Sequence, residues 1–233
     1  MPIADDLQAI AERTNRELDA VHDFFEHSKI VWQSFQSLVN SGHAVTSVNA
    51  ATGTTIDQIG LVALTPQYTR EYLVTFTFHQ FVASFEAFFF GFFHRVLLHN
   101  PWPFARTQLD FEAVLRSKDR DDIIGAVLLK QLNGVKYEKV RDWFDALDAA
   151  VKLGCPTAEE IDTLAEVKAT RDIVEHNAGI ANDVYVRKAG KKARHVVGDH
   201  VEIDENYHLE SWRLMKKMVA DLTAAAIARL GKP

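Results

Sequence analysis

Residues 81–101, FVASFEAFFFGFFHRVLLHNP, decide the fold class of this chain. Phe78, Phe81, Phe85, Phe88 and Phe92 recur three or four residues apart, which places their rings on one face of an α-helix. Phe89, Phe90 and Phe93 spread the apolar surface beyond that stripe, the pattern of a helix covered on most sides. Nine of the 15 phenylalanines fall between Thr69 and His99, so this segment is expected to be the central helix of an all-α bundle. It should stop at Asn100-Pro101-Trp102-Pro103, where proline supplies no N–H and restricts its predecessor. Packing, ahead of base stacking, is the expected work of these rings.

Reading outward, Ile3 to about Val39 predicts one long helix, with apolar residues at Leu7, Ile10, Leu18, Val21, Phe24 and Phe25. Asn40 to Gln67 is rich in Ser, Thr, Gly and Ala and is expected to be a long polar connection. Residues 1–67 therefore read as a helix and loop packed on a helical domain spanning 68–233. Beyond the central helix, shorter helices are expected at Leu109–Arg116, Asp121–Gln131 and Val135–Lys152. A further helix opens at Thr157, which can form a capping box with Glu160, and ends near Gly179. Val184 to Ile203 is read as a small loop or hairpin insertion, and Asn206–Leu230 as the last helix.

Composition limits the function. The 233 residues can bury a single core, and 47% hydrophobic with 25% charged residues is ordinary for a globular protein. A net charge of −6 excludes a general nucleic-acid binder, so any RNA contact must be a local patch. The lone Cys155 excludes an internal disulfide and a cysteine-rich zinc site, and suits a reducing cytoplasm. The acidic, amphipathic start is unlike a secretion signal, and Phe81–Phe93 is too short to cross a bilayer and contains Glu86. A cytoplasmic location without membrane attachment is expected. His195, His200 and His208 lack tight metal-ligand spacing and read as surface residues.

The chemistry-bearing stretch is residues 171–180, RDIVEHNAGI. Arg171 is a permanent cation that suits phosphate, and His176 is the side chain suited to proton transfer near neutrality. Leu164, Val167, Arg171 and Val174 share a 3–4–3 spacing, so Arg171 occupies a slot otherwise apolar and must snorkel or meet an anion. Glu86, a carboxylate among phenylalanines, is the expected partner, whether for function or as a purely structural ion pair. Ala165, Ala169, Asp172 and His176 lie on a second face, where the alanines admit a close helix and Asp172 can orient the imidazole. His176 stands at the carbonyl end of the helix, the end that suits a cation. Arg171 and His176 are five positions apart, roughly 140° around a helix, so one straight helix cannot readily grip one phosphate with both. Two copies about a two-fold axis can.

The Arg-x4-His element with a polar residue after the arginine resembles the HEPN superfamily. The run 171–188, RDIVEHNAGIANDVYVRK, is similar to its ribonuclease-LS-like and PSP-associated branch, as is the Phe-Glu-x-Phe core with closing Asn-Pro in 81–101. The resemblance covers roughly Tyr68 to Leu230. It implies a helical bundle, a homodimer with a composite cleft, and metal-independent RNA cleavage without a cofactor. His176 would be general base or general acid, and Arg171 would stabilise the phosphoryl charge. Asn177 would either add a hydrogen bond to phosphate or tie the helix end. Arg187, Lys188, Lys191 and Lys192 would guide an RNA backbone or form a solvated loop, and Tyr185 would stack a base or pack in a hairpin. The function expected is an endoribonuclease, such as a toxin or anti-phage effector. A non-catalytic dimeric module binding RNA or protein, and a protein held by an antitoxin-like partner, are the alternatives.

Overall fold

A computed structural model gives the architecture and describes residues 3–101, 108 and 111–231. Among the described residues the chain is all-α apart from one tiny hairpin. Helix α1 (Ile3–Asn40) buries Leu7, Ala11, Thr14, Leu18 and Phe25 along a single stripe. Strands β1 (Ser47–Val48) and β2 (Thr55–Ile56) pair antiparallel, with Ser47 opposite Ile56. The Asn49 side chain closes the turn by accepting the Ala51 and Thr52 N–H groups.

The polar connection is shorter than expected. Asp57 caps helix α2 (Gln58–Pro66) by accepting the Gly60 N–H at 2.9 Å. From α2 the chain continues without a break through a π-helical stretch, Gln67–Leu73, into α3 (Val74–His99). Pro66 removes one helical N–H and crowds the preceding turn; the wider π register beyond it absorbs the defect. The continuous rod Gln58–His99 has 42 residues, long and apolar enough by composition to cross a bilayer, although 56% of its most apolar window is buried inside the bundle. The expected helix, starting at Thr69, is thus too short by three turns at its N-terminal end.

Helix α3 is the axis of the core. Phe78, Phe81, Phe85, Phe88, Phe89, Phe92 and Phe93 are all buried. Leu7 and Leu18 of α1 and Met215, Met218 and Leu222 of α9 (Glu205–Leu230) enter the same cluster. Trp143 and Phe144 of α6 (Val140–Ala150) join it, with ring centroids 5.6 and 4.9 Å from Phe89. The expected helix Val135–Lys152 divides: α5 (Arg120–Lys136) ends beyond Gly134, and Asp142 caps α6 by accepting the Lys139 N–H. Helix α4 covers Phe111–Arg116; Leu109, and the Trp102-Pro103 of the expected stop, lie outside the described residues.

Helix α7 (Ala158–His176) has the capping box: the Thr157 N–H donates to Glu160 Oε2 at 2.8 Å and the Glu160 N–H to Thr157 Oγ1 at 3.3 Å. It ends through two left-handed residues, Ala178 (φ 51°) and Gly179 (φ 74°), whose turn returns the Gly179 N–H to Ile173 O. The segment beyond this turn is helical, not a hairpin. Asn182 caps helix α8 (Asp183–Ala189), accepting the Tyr185 N–H at 3.0 Å. Ala181, Tyr185 and Ala189, four residues apart, pack on Ala169 and Ile173 of α7. That helical spacing outweighs the β-branched residues around Tyr185. A 3-10 turn (Gly190–Lys192) and a loop then lead back to an Ile180–His200 bridge.

Candidate functional site

The last turns of α7 and the inner face of α3 build one polar cluster. Glu86 reaches from α3 between two cations, with Lys168 Nζ 2.9 Å from one carboxyl oxygen and Arg171 Nη2 3.5 Å from the other. The expected Glu86–Arg171 pair is therefore formed, and shared. Arg171, with 19% of its side chain exposed, also meets Asp172 Oδ1 at 3.1 Å and Glu175 Oε2 at 3.0 Å. Lys188 closes the group from α8, donating to Asp172 Oδ2 at 2.9 Å. Three cations thus face three carboxylates. The misfit of a charge in an apolar slot is answered by anions from the same chain, as expensive burial of an isolated charge requires.

Asp172 does not orient His176. Its oxygens point at Lys168, Arg171 and Lys188. Burial alone would raise its carboxyl, but the Lys188 hydrogen bond and the charges of Lys168, Lys188 and Arg171 outweigh burial and hold it below the ordinary value. His176 stands clear with 68% of its side chain exposed, and Glu175 Oε2, 3.8 Å away, is its charged neighbour. Glu86, Arg171, His176, Asn177 and Lys188 nevertheless line one open cleft of about 550 Å³, joined by Lys136 at the end of α5 and by Tyr137 and Glu138 from the link to α6.

Other expected site residues fall elsewhere. Tyr185 is 1% exposed and lends the cleft only an edge; its hydroxyl donates to Glu166 Oε1 at 2.9 Å, so it cannot stack a base. Asn177 Nδ2 donates to Ile180 O at 2.6 Å, tying the helix end, the structural alternative. The basic run is divided because α8 carries it back along α7. Lys188 reaches the cleft, whereas Lys191 pairs with Asp162 and Lys192 with Glu159, both near the start of α7 and more than two turns from Arg171. Arg187 is exposed and does not line the cleft. His208, expected at the surface, is fully buried and bonded through Nε2 to Thr77 Oγ1 at 2.8 Å.

Two features escape a reading of the sequence. Glu166, 2% exposed, gathers the Tyr185 and Tyr207 hydroxyls, the Thr170 hydroxyl and Arg194 Nε within 2.7–3.0 Å, clamping the insertion and α9 to α7. Burial and the neighbouring Glu166 raise both phenols above their ordinary range, which keeps them donors. Tyr137, 89% exposed, stands at the cleft lip. Nothing in a helical reading of Val135–Lys152 singles it out, because its exposure comes from the helix break there.

No protein-family model matches the chain, and no curated protein or solved structure shows significant similarity to it.

Proposed function

We propose that this protein is a metal-independent endoribonuclease of HEPN type, acting as a cytoplasmic homodimer on RNA. The observation that carries the proposal is the cleft in which Arg171, Lys168, Lys188 and His176 meet. Three cations and an accessible imidazole suit a phosphodiester. His176 exchanges a proton with the 2′-hydroxyl or the 5′-oxygen, Arg171 stabilises charge on the phosphoryl oxygens, and Glu86 holds Arg171 in place. The products are a 2′,3′-cyclic phosphate and a 5′-hydroxyl. Tyr137 takes the base-stacking role expected of Tyr185.

The dimer draws support from α3. Beside the cleft its outer face exposes Phe76 (67%), Gln80, Ala83 and Ala87, an uncharged strip that suits a second copy of the same helix. Such a copy would bring each His176 toward the other subunit's Arg171. A toxin or anti-phage role, with an antitoxin as regulatory partner, is the biological setting that the family resemblance suggests.

One observation favours the non-catalytic alternative. Arg171 already has three carboxylates within 3.5 Å, as in a structural ion-pair cluster. Incubating the full-length protein with RNA in EDTA, beside Arg171→Ala and His176→Ala, separates the two. Cleavage to cyclic-phosphate ends should fall roughly 100-fold or more in both variants. Equal cleavage by all three samples, or none by the wild type, removes the enzyme reading and leaves the binding module.

A further inference from the structure

The inner face of α3 carries Thr75, His79, Val82 and Glu86, spaced 4–3–4 along one strip. Both ends of the strip face α7. Glu86 meets Lys168 and Arg171, while Thr75 shares a cavity wall with Val174 and Ala178. The two helices therefore run antiparallel along this strip. His79, two turns or about 10 Å before Glu86, lies level with the last turn of the motif helix. The charges acting on its ring agree with that register: Glu175, Arg171, His176 and Asp172, all from α7.

His79 has no structural task in view. Its ring is half-buried, and its buried Nε2 lacks a hydrogen-bond partner among the described residues. His208, by comparison, bonds Thr77 through Nε2 and leaves its buried Nδ1 without a partner among the described residues. An imidazole nitrogen left unpaired is costly unless something else uses it. His79 does not line the cleft as its side chain stands, and rotation about the Cβ–Cγ bond, a soft torsion, is the movement that would turn that nitrogen outward.

We propose that His79 is the second proton-transferring group of the site, taking the ribose 2′-hydroxyl proton while His176 protonates the departing 5′-oxygen. The inference deepens the ribonuclease reading and rests on it. As His79 accepts the proton, the 2′-oxygen forms its bond to phosphorus. The bond from phosphorus to the 5′-oxygen breaks, its electron pair leaves with that oxygen, and His176 supplies the proton. Solvent then returns both imidazoles to their starting states. The environment matches the division of work. Burial lowers the His79 pKa; Glu175 and Asp172 pull it up, and Arg171 and His176 push it down, leaving it below the usual value and suited to a base. His176 is exposed and lines the cleft, where a departing oxygen can reach it.

The test uses the full-length protein, a short RNA with one cleavable linkage, and its analogue with bridging sulfur in place of the 5′-oxygen, a leaving group that needs no proton. His79→Asn should lose roughly 100-fold or more on both substrates, together with the acidic limb of the kcat/KM profile. His176→Ala should lose as much on the RNA but recover at least about tenfold on the sulfur analogue. His79→Gln and thermal melts guard against misfolding. In isotope-labelled wild type, the His79 ring signal should move on adding an uncleavable 2′-deoxy oligonucleotide. His79→Asn within about threefold of wild type, with its acidic limb intact, overturns this inference and spares the ribonuclease. A stationary His79 signal, or rescue of His79→Asn by sulfur, overturns it too. A wild type that cleaves neither substrate overturns both readings.

Discussion

Helix α7 carries two polar clusters on different faces, and they contrast in almost every respect. Around Glu166 a buried carboxyl group is met by two phenols, a hydroxyl and a guanidinium, most of them from other segments of chain. Arg194, its cation, also lies 3.5 Å over the Tyr207 ring. Around Arg171, cations and carboxylates face one another at an open cleft lined by His176, with Glu175 beside both Arg171 and His176. The first cluster has spent its donors and acceptors on the fold. The second keeps an exposed imidazole and accessible cations in reserve. Burial with full satisfaction marks a clamp; partial exposure with charges held in balance marks a place where a ligand can enter.

The sharpest way to break this contrast is Glu166→Ala. The change removes the acceptor shared by Arg194, Tyr185, Tyr207 and Thr170, leaving Arg194 the Glu202 carbonyl and the Thr170 hydroxyl, and should cost about 3–5 kcal/mol. For a chain of this size that lowers the melting temperature by roughly 10 °C, read by circular dichroism. Arg171→Ala, at the open cluster, should move the melting temperature far less. If the two variants melt alike, the division into clamp and site is wrong.

A pH scan sharpens the same contrast, because His208 belongs with the closed groups. Burial, with His22 and Lys29 nearby, lowers its pKa to about 4. An unfolded imidazole titrates near its ordinary value of about 6.5. The fold thus holds His208 neutral, and that stability is fully present above about pH 6.5. It is lost as the pH falls toward about 4, where the folded state itself takes up the proton, for a total of roughly 3 kcal/mol. Urea unfolding between those pH values should show the decline in wild type and His176→Ala, and a flatter one in His208→Gln. A slope that tracks His176 instead would make the exposed imidazole part of the fold.

The same contrast explains what the sequence could disclose. Phenylalanine spacing in 81–101 and the Thr157–Glu160 capping box are local patterns, and local patterns set helices. Glu86 and Arg171 are legible as a pair because each breaks an apolar pattern, so each requires a partner. Glu166 breaks no such pattern: its partners come from α7, α8, the loop at Arg194 and α9, and only folding brings them together. At Tyr185 the V-Y-V run suggests a strand, whereas burial of Ala181, Tyr185 and Ala189 at helical spacing decides the outcome. Lys191 and Lys192 sit close to Lys188 in sequence, but the direction of α8 sends them away from the cleft.

At the open cluster, Tyr137→Ala should leave melting unchanged, because the ring is 89% exposed. It should weaken binding of a single-stranded oligonucleotide by about 1–2 kcal/mol, the range of base–aromatic stacking, without changing the salt slope. A duplex of the same sequence should bind both proteins equally. Fluorescence anisotropy at two salt concentrations measures this. Equal binding of the single strand by both proteins would remove Tyr137 from the RNA path.

The smallest effect tests the premise that the open cluster holds its charges in reserve. Glu175, 44% exposed, is the carboxylate on Arg171 that a phosphate can displace, whereas Glu86 reaches it from the inner side of the cleft. An exposed ion pair is worth at most about 1 kcal/mol, so Glu175→Gln should scarcely alter melting. It also removes one negative charge beside Arg171 and His176, and RNA affinity should rise by a few-fold, about 1 kcal/mol or less. The gain should shrink in high salt, since it is electrostatic. Weaker binding in this variant would mean that Glu175 positions Arg171 for the phosphate. The arginine cluster would then be a clamp of the same kind as that around Glu166, and the distinction between the two faces of α7 would fail where the chemistry depends on it.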